Sequence, residues 1–183
     1  MVYWISALLL MVSTTVHANA AVTVSVPAVQ KAYSNWCWAA CAEMAGKNIY
    51  HNSWYDQYSV VAMIKGSGNP NVGANAYETA SGCTIVANSI KNFTVYNNTF
   101  SQSQIQNYIN SGYALAAITG NPYGTLSLHD IIIYGYETKN GIEHLFIIDP
   151  DTGVGSEKTR ASLIDGTWKP GYSLPYFSTI YPN

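Results

Sequence analysis

The sequence predicts an α+β fold, a helical lobe first and an antiparallel β lobe second. Apolar residues recur at helical spacing between residues 34 and 111, interrupted by Gly and Asn. After Gly112 the pattern becomes strand-like. Two apolar runs, residues 129–137 (HDIIIYGYE) and 142–149 (IEHLFIID), then flank Thr138-Lys139-Asn140-Gly141, a composition that turns a hairpin. Helices followed by neighbouring antiparallel strands give the α+β class.

Taken in order, the chain begins with an apolar stretch, Val2 to Val12 (VYWISALLLMV), followed by the small-x-small motif Ala18-Asn19-Ala20. That is the layout of a secretory signal peptide over residues 1–20. A bilayer span needs about 20 apolar residues, more than this stretch offers. The expectation is an exported chain, extracellular or periplasmic, that starts near Ala21 and has no membrane association after cleavage. Ser34 or Asn35 can cap a helix through Trp38, Cys41, Ala42 and Ala45, with Gly46 as its stop. A second helix over 54–65 puts Tyr58, Val61, Ala62 and Ile64 on one face. Residues 66–73 (GSGNPNVG) form a loop, and short helices are expected over 75–81 and 86–91. Ser101 caps a helix carrying Ile105, Tyr108 and Ile109 that ends at Gly112. A strand over 113–119, a turn at Asn121-Pro122-Tyr123-Gly124 and the hairpin complete the β lobe. The tail, 162–183, should pack as irregular strand. The domain division is therefore 1–20 for the leader and 21–183 for one domain, its helical lobe over about 30–112 and its β lobe over about 113–183.

Composition narrows the function. The 183 residues carry 8 Lys+Arg and 10 Asp+Glu, and 48% are hydrophobic, with 15 Tyr. A chain this apolar and weakly charged folds rather than staying disordered. With no basic run, nucleic acid is excluded as partner. No short ligand pair such as C-x-x-C or H-x-x-x-H is present, so no metal is expected. No Gly-rich phosphate loop precedes a helix, and no cofactor is expected.

Cysteine carries the chemistry. The chain has Cys37, Cys41 and Cys83. An odd count in an oxidising compartment leaves one thiol free. Cys37 would lie in the first helical turn, where unpaired N–H groups and the helix dipole favour a thiolate. Cys41, one turn deeper, points into the lobe, which favours a Cys41–Cys83 disulfide; a Cys37–Cys83 pair and no bridge at all stay open. A cysteine nucleophile needs a base. His51 falls in a polar loop and His144 within a strand, whereas His129 begins the apolar strand of the hairpin.

The hairpin then tests which carboxylate reaches His129. A three-residue loop, Lys139-Asn140-Gly141, pairs Thr138 with Ile142, so that His129 faces Asp151 and has Asp149 as its diagonal neighbour on the same face. A two-residue turn flips the parity and sends both carboxylates to the other face.

These segments, Gln30 followed by Asn35-Trp36-Cys37-Trp38-Ala39-Ala40-Cys41, then His129 with IIIYGY, then IIDPDTG, resemble papain-like cysteine peptidases, especially compact bacterial secreted forms such as effector peptidases and double-glycine leader peptidases. The resemblance covers most of the chain from Gln30 onward. It implies Cys37 as nucleophile, His129 as general base and Asp149 as the group orienting it, with Asp151 as a rival. It also implies Gln30 as side-chain donor of the oxyanion hole, beside the Cys37 backbone N–H. The expected function is a secreted thiol peptidase acting on protein or peptide through an acyl-enzyme, as a monomer. The alternatives are a cell-wall amidase or acyltransferase with the same triad, and a silent binding protein.

Overall fold

The computed structural model describes residues 19–120 and 128–183. The apolar stretch 2–12, Ala18 of the cleavage motif and the turn expected at 121–124 lie outside the described residues. Twelve elements follow in order: β1 (Asn19–Thr23), α1 (Cys37–Ile49), α2 (Gln57–Lys65), α3 (Ala76–Val86), β2 (Phe93–Tyr96), α4 (Gln102–Asn110), β3 (Leu115–Thr119), β4 (His129–Lys139), β5 (Ile142–Asp149), β6 (Val154–Thr159), α5 (Arg160–Asp165) and β7 (Tyr176–Pro182). The strands form one antiparallel sheet in the order β2-β7-β3-β4-β5-β6, with β1 added along β4. No helix among the described residues is long and apolar enough to cross a membrane.

β4 is the spine. Its first half pairs with β3, from Thr119↔His129 to Leu115↔Ile133, and its second half with β1, including Thr23↔Gly135. The other edge pairs with β5. Both faces of this part of the sheet are covered, which explains why Ile131, Ile132 and Ile133 run without alternation. Ile132, Ile118, Ala116 and Ile148 pack with Trp38, Cys41 and Met44 of α1 and with Val86 of α3. On the opposite face Ile131, Ile133, Leu115 and Ile147 pack with Ile105 and Ile109 of α4, Leu163 of α5 and Trp168.

α1 is buried from Cys37 to Gly46, and Trp36 at its N-cap makes no side-chain capping bond. The helix runs past Gly46, contrary to the expected stop. A Cβ at Gly46 would sit 2.4 Å from Val86 Cβ and 2.9 Å from the Ala87 backbone nitrogen, so the glycine lets α3 cross closely. Asp56 caps α2, its carboxylate accepting from Ser59 N–H, which delays the start to Gln57. One helix, α3, replaces the two short ones expected, and Asn75 and Glu78 form a capping box at its start. Ser101 caps α4 as anticipated, with Gln104 closing the box. The tail holds a regular strand, β7, seated between β2 and β3.

Between β1 and α1 the chain is tied to the β lobe up to Lys31 and then bends and turns over residues 32–35. The Val24 N–H donates to the Tyr134 carbonyl and the Lys31 N–H to the Pro150 carbonyl, each at 2.9 Å.

Candidate active site

The hairpin sets the geometry. Lys139 pairs with Ile142 across a two-residue turn, Asn140 and Gly141, both with left-handed φ of 52° and 76°. This is the primed turn that Asn-Gly favours, not the three-residue loop expected. By itself it would turn the carboxylates away from His129. The ladder slips between Ile133 and Gly135, where Tyr134 bulges, so that Gly135 pairs with Phe146 but Ile133 with Ile147. The slip restores the register that a three-residue loop would have produced. Asp149 therefore ends β5 on the face that His129 shares.

His129 Nε2 lies 2.8 Å from Asp149 Oδ1. Of the two rival carboxylates, Asp149 is the one that meets the imidazole. The Asp151 backbone N–H donates to Asp149 Oδ1 at 2.9 Å, and Lys169 Nζ donates to Asp149 Oδ2 at 2.9 Å. Burial alone would raise the Asp149 carboxyl, but the hydrogen bonds from His129 and Lys169 hold it well below the usual carboxylate range. Asp151 instead pairs with Lys31 and Lys169. The indole of Trp168 stacks on His129, centroids 6.2 Å apart and planes within 16°, and its Nε1–H donates to the Leu174 carbonyl at 2.9 Å. Nε2 is thus committed, and Nδ1 is the ring nitrogen left for a proton from elsewhere.

Cys37 is the first residue of α1 and is 8% exposed. Burial, then the nearby Asp130 charge, push its thiol up to about 12, against the pull of Lys31 and of the Asp130 and Trp38 backbone N–H groups. The helix start alone therefore does not hold a thiolate here, as the dipole argument anticipated; desolvation outweighs it. Cys37 and His129 line one cavity of about 730 Å³ together with Trp38, Asp130, Asp151 and Lys169.

The remaining expected residues sit as follows. Gln30 is exposed, is not among the residues lining the cavity, and its Nε2 donates to the Asp151 carbonyl at 3.0 Å. Cys41 and Cys83 are fully buried and free, as is the Cys37 sulfur. The Cys41–Cys83 bridge is not formed, and both residues pack as small apolar groups of the core that α1 and α3 share. His51 is exposed, and His144 pairs with Glu157 at 2.5 Å. Ligand atoms of His129, Asp149 and Asp151 lie within 4.8 Å of one another; the ammonium groups of Lys31 and Lys169 already neutralise those carboxylates, so the cluster is an ion-pair network rather than an open cation cage. Lys31, Thr79, Asp130, Trp168 and Lys169 were not singled out by sequence. Trp168 and Lys169 lie in a tail with no periodic signal, and Asp130 was overshadowed by the histidine beside it.

Comparison with known families decides the class. A family model described as Peptidase_C39 like family matches residues 23–170, a span that encloses Gln30, all three cysteines, His129 and Asp149. The chain belongs to the Peptidase_C39 like family. No curated protein matches the chain significantly. As a member of the Peptidase_C39 like family it is a papain-like cysteine peptidase, a hydrolase of α+β fold whose substrate is protein or peptide.

Proposed function

We propose that this peptidase is exported, with residues 1–20 as its signal peptide and 21–183 as the mature domain, and that it hydrolyses peptide bonds through a thioester on Cys37. The observation that carries this reading is the meeting of Cys37, at the start of α1, with the His129–Asp149 pair at one cavity. His129 Nδ1 takes the thiol proton while Nε2–H stays on Asp149, which fixes the tautomer and stabilises the imidazolium. The sulfur then attacks the carbonyl carbon and a C–S bond forms. His129 returns the proton to the departing amine as the C–N bond breaks; water then attacks the thioester with His129 again as base, the C–S bond breaks, the carboxylic acid leaves and His129 returns the proton to the Cys37 sulfur. The Cys37 backbone N–H, which has no partner among the described residues, is one donor to the oxyanion. Gln30 Nε2 spends one hydrogen on the Asp151 carbonyl, and its other N–H is the candidate second donor.

The test is intact-mass analysis of the protein treated with a peptide-like epoxide. One adduct is expected, mapping to Cys37 after digestion, on a chain that begins at Ala21 when recovered from outside the cell. An adduct on Cys41 or Cys83 overturns the nucleophile assignment, and a retained leader overturns export. Incubation with casein and with peptidoglycan fixes the substrate: fragments from peptidoglycan alone would move the reading to cell-wall amide hydrolysis.

A further inference from the structure

Asp130 follows His129 on β4, and strand alternation turns it to the opposite face, toward α1 and α3. It is 3% exposed, yet it lines the cavity beside Cys37. Its Oδ2 accepts a hydrogen bond from Thr79 Oγ1 of α3 at 3.0 Å. The other carboxylates that line the cavity have lysine partners. Glu78 pairs with Lys65 at 2.6 Å, and Asp151 with Lys31 and Lys169. Among the described residues no Lys or Arg pairs with Asp130. Burial pushes its carboxyl up to about 6, which leaves it ionised at pH 7.5. Acyl transfer does not use it, because His129 is oriented by Asp149 and the Asp130 charge opposes ionisation of Cys37.

We propose that Asp130 is a specificity-determining residue that receives a cationic side chain, Lys or Arg, of the peptide substrate next to the scissile bond. The inference rests on Cys37 as nucleophile and deepens that reading. Trp38, Ala74 and Leu128 line the same cavity and offer apolar walls to the aliphatic stem of such a side chain. Its ammonium or guanidinium head then meets a desolvated carboxylate already aimed by Thr79, the setting in which charge-assisted hydrogen bonds are strongest.

The test compares the rate of Cys37 alkylation by peptidyl fluoromethyl ketones that carry arginine or norleucine at each of the two positions preceding the warhead. For the wild-type protein, arginine at one position should accelerate labelling about 10–100-fold over norleucine, the range of a hydrogen bond to a charged group. Asp130→Asn, which keeps an acceptor for Thr79, should bring that ratio near one while the norleucine rate holds or rises, because loss of the charge eases ionisation of Cys37. Thr79→Val, which keeps the charge, should retain most of the preference. A wild-type protein without arginine preference at either position overturns the proposal, as does an Asp130→Asn variant that loses both rates equally, the outcome of a merely structural role. Labelling of Cys37 by the norleucine probes in those cases leaves the nucleophile assignment intact; labelling of Cys41 or Cys83 by every probe removes both.

Discussion

Replacing Cys37 by alanine removes peptide hydrolysis, with turnover falling on the order of 10⁵–10⁶-fold, as when a covalent nucleophile is deleted from a triad. The fold should survive, since one small, nearly buried side chain at the start of α1 is exchanged for another. Cys41→Ala and Cys83→Ala are the informative controls. Both thiols are buried and free within the helical core, so these variants should lose stability, about 1 kcal/mol, but not turnover. Kinetics and thermal melts on the three variants check this, and a Cys37→Ala protein that keeps turning over overturns the assignment. The raised thiol adds a pH signature. A group pushed up to about 12 is a neutral thiol across the working range, so its thiolate fraction grows tenfold per pH unit. Alkylation of Cys37 by iodoacetamide should therefore climb steadily from pH 7 to 9. A plateau in that range would mean that an imidazolium–thiolate pair exists before substrate arrives.

The second large effect is expected at Trp168. This indole is 4% exposed, packs in the core under α4 and α5, covers the His129 ring and donates to the Leu174 carbonyl. Truncation to alanine empties that volume, which costs about 3–5 kcal/mol in a buried aromatic. It also admits water to the His129–Asp149 hydrogen bond, weakening it by raising the local dielectric. Denaturant unfolding should report the loss as a lower midpoint. Below that transition kcat/KM should fall about 10–100-fold with Cys37 still alkylatable. Trp168→Phe should recover most of the packing without the Nε1 hydrogen bond. If the alanine variant loses stability but keeps full kcat/KM at temperatures where it is folded, the ring is packing alone.

Much of this architecture is legible in the sequence because it follows from local chemistry. Ser101 announces α4 as its N-cap, and the apolar run after His129 announces a strand. What escaped was decided by distant partners. Gly46 reads as a stop until α3 is seen to need its missing Cβ. The strands β1, β2 and β6 are short and carry polar residues, so only their neighbours in the sheet define them. In the site, the candidates Cys37, His129 and Asp149 are readable from the sequence, but the reason Asp149 meets His129 is not. Asn140-Gly141 makes the shorter turn, and the Tyr134 bulge corrects the parity that this turn upsets. No pattern in HDIIIYGYE marks the bulge in advance; Gly135, whose Cβ would lie 2.7 Å from the Val22 carbonyl oxygen, is its only trace. An odd cysteine count and burial suggest a Cys41–Cys83 bridge, whereas both thiols are free here and pack in the core.

The run between β1 and α1 has a mechanical consequence. Its early part is stitched to Tyr134, within β4, and its later part to Pro150, just after β5. Cys37 thus follows a tether fastened at one point to the strand that His129 begins and at another to the residue after Asp149. Prising the halves of this peptidase apart would first require breaking those two backbone hydrogen bonds.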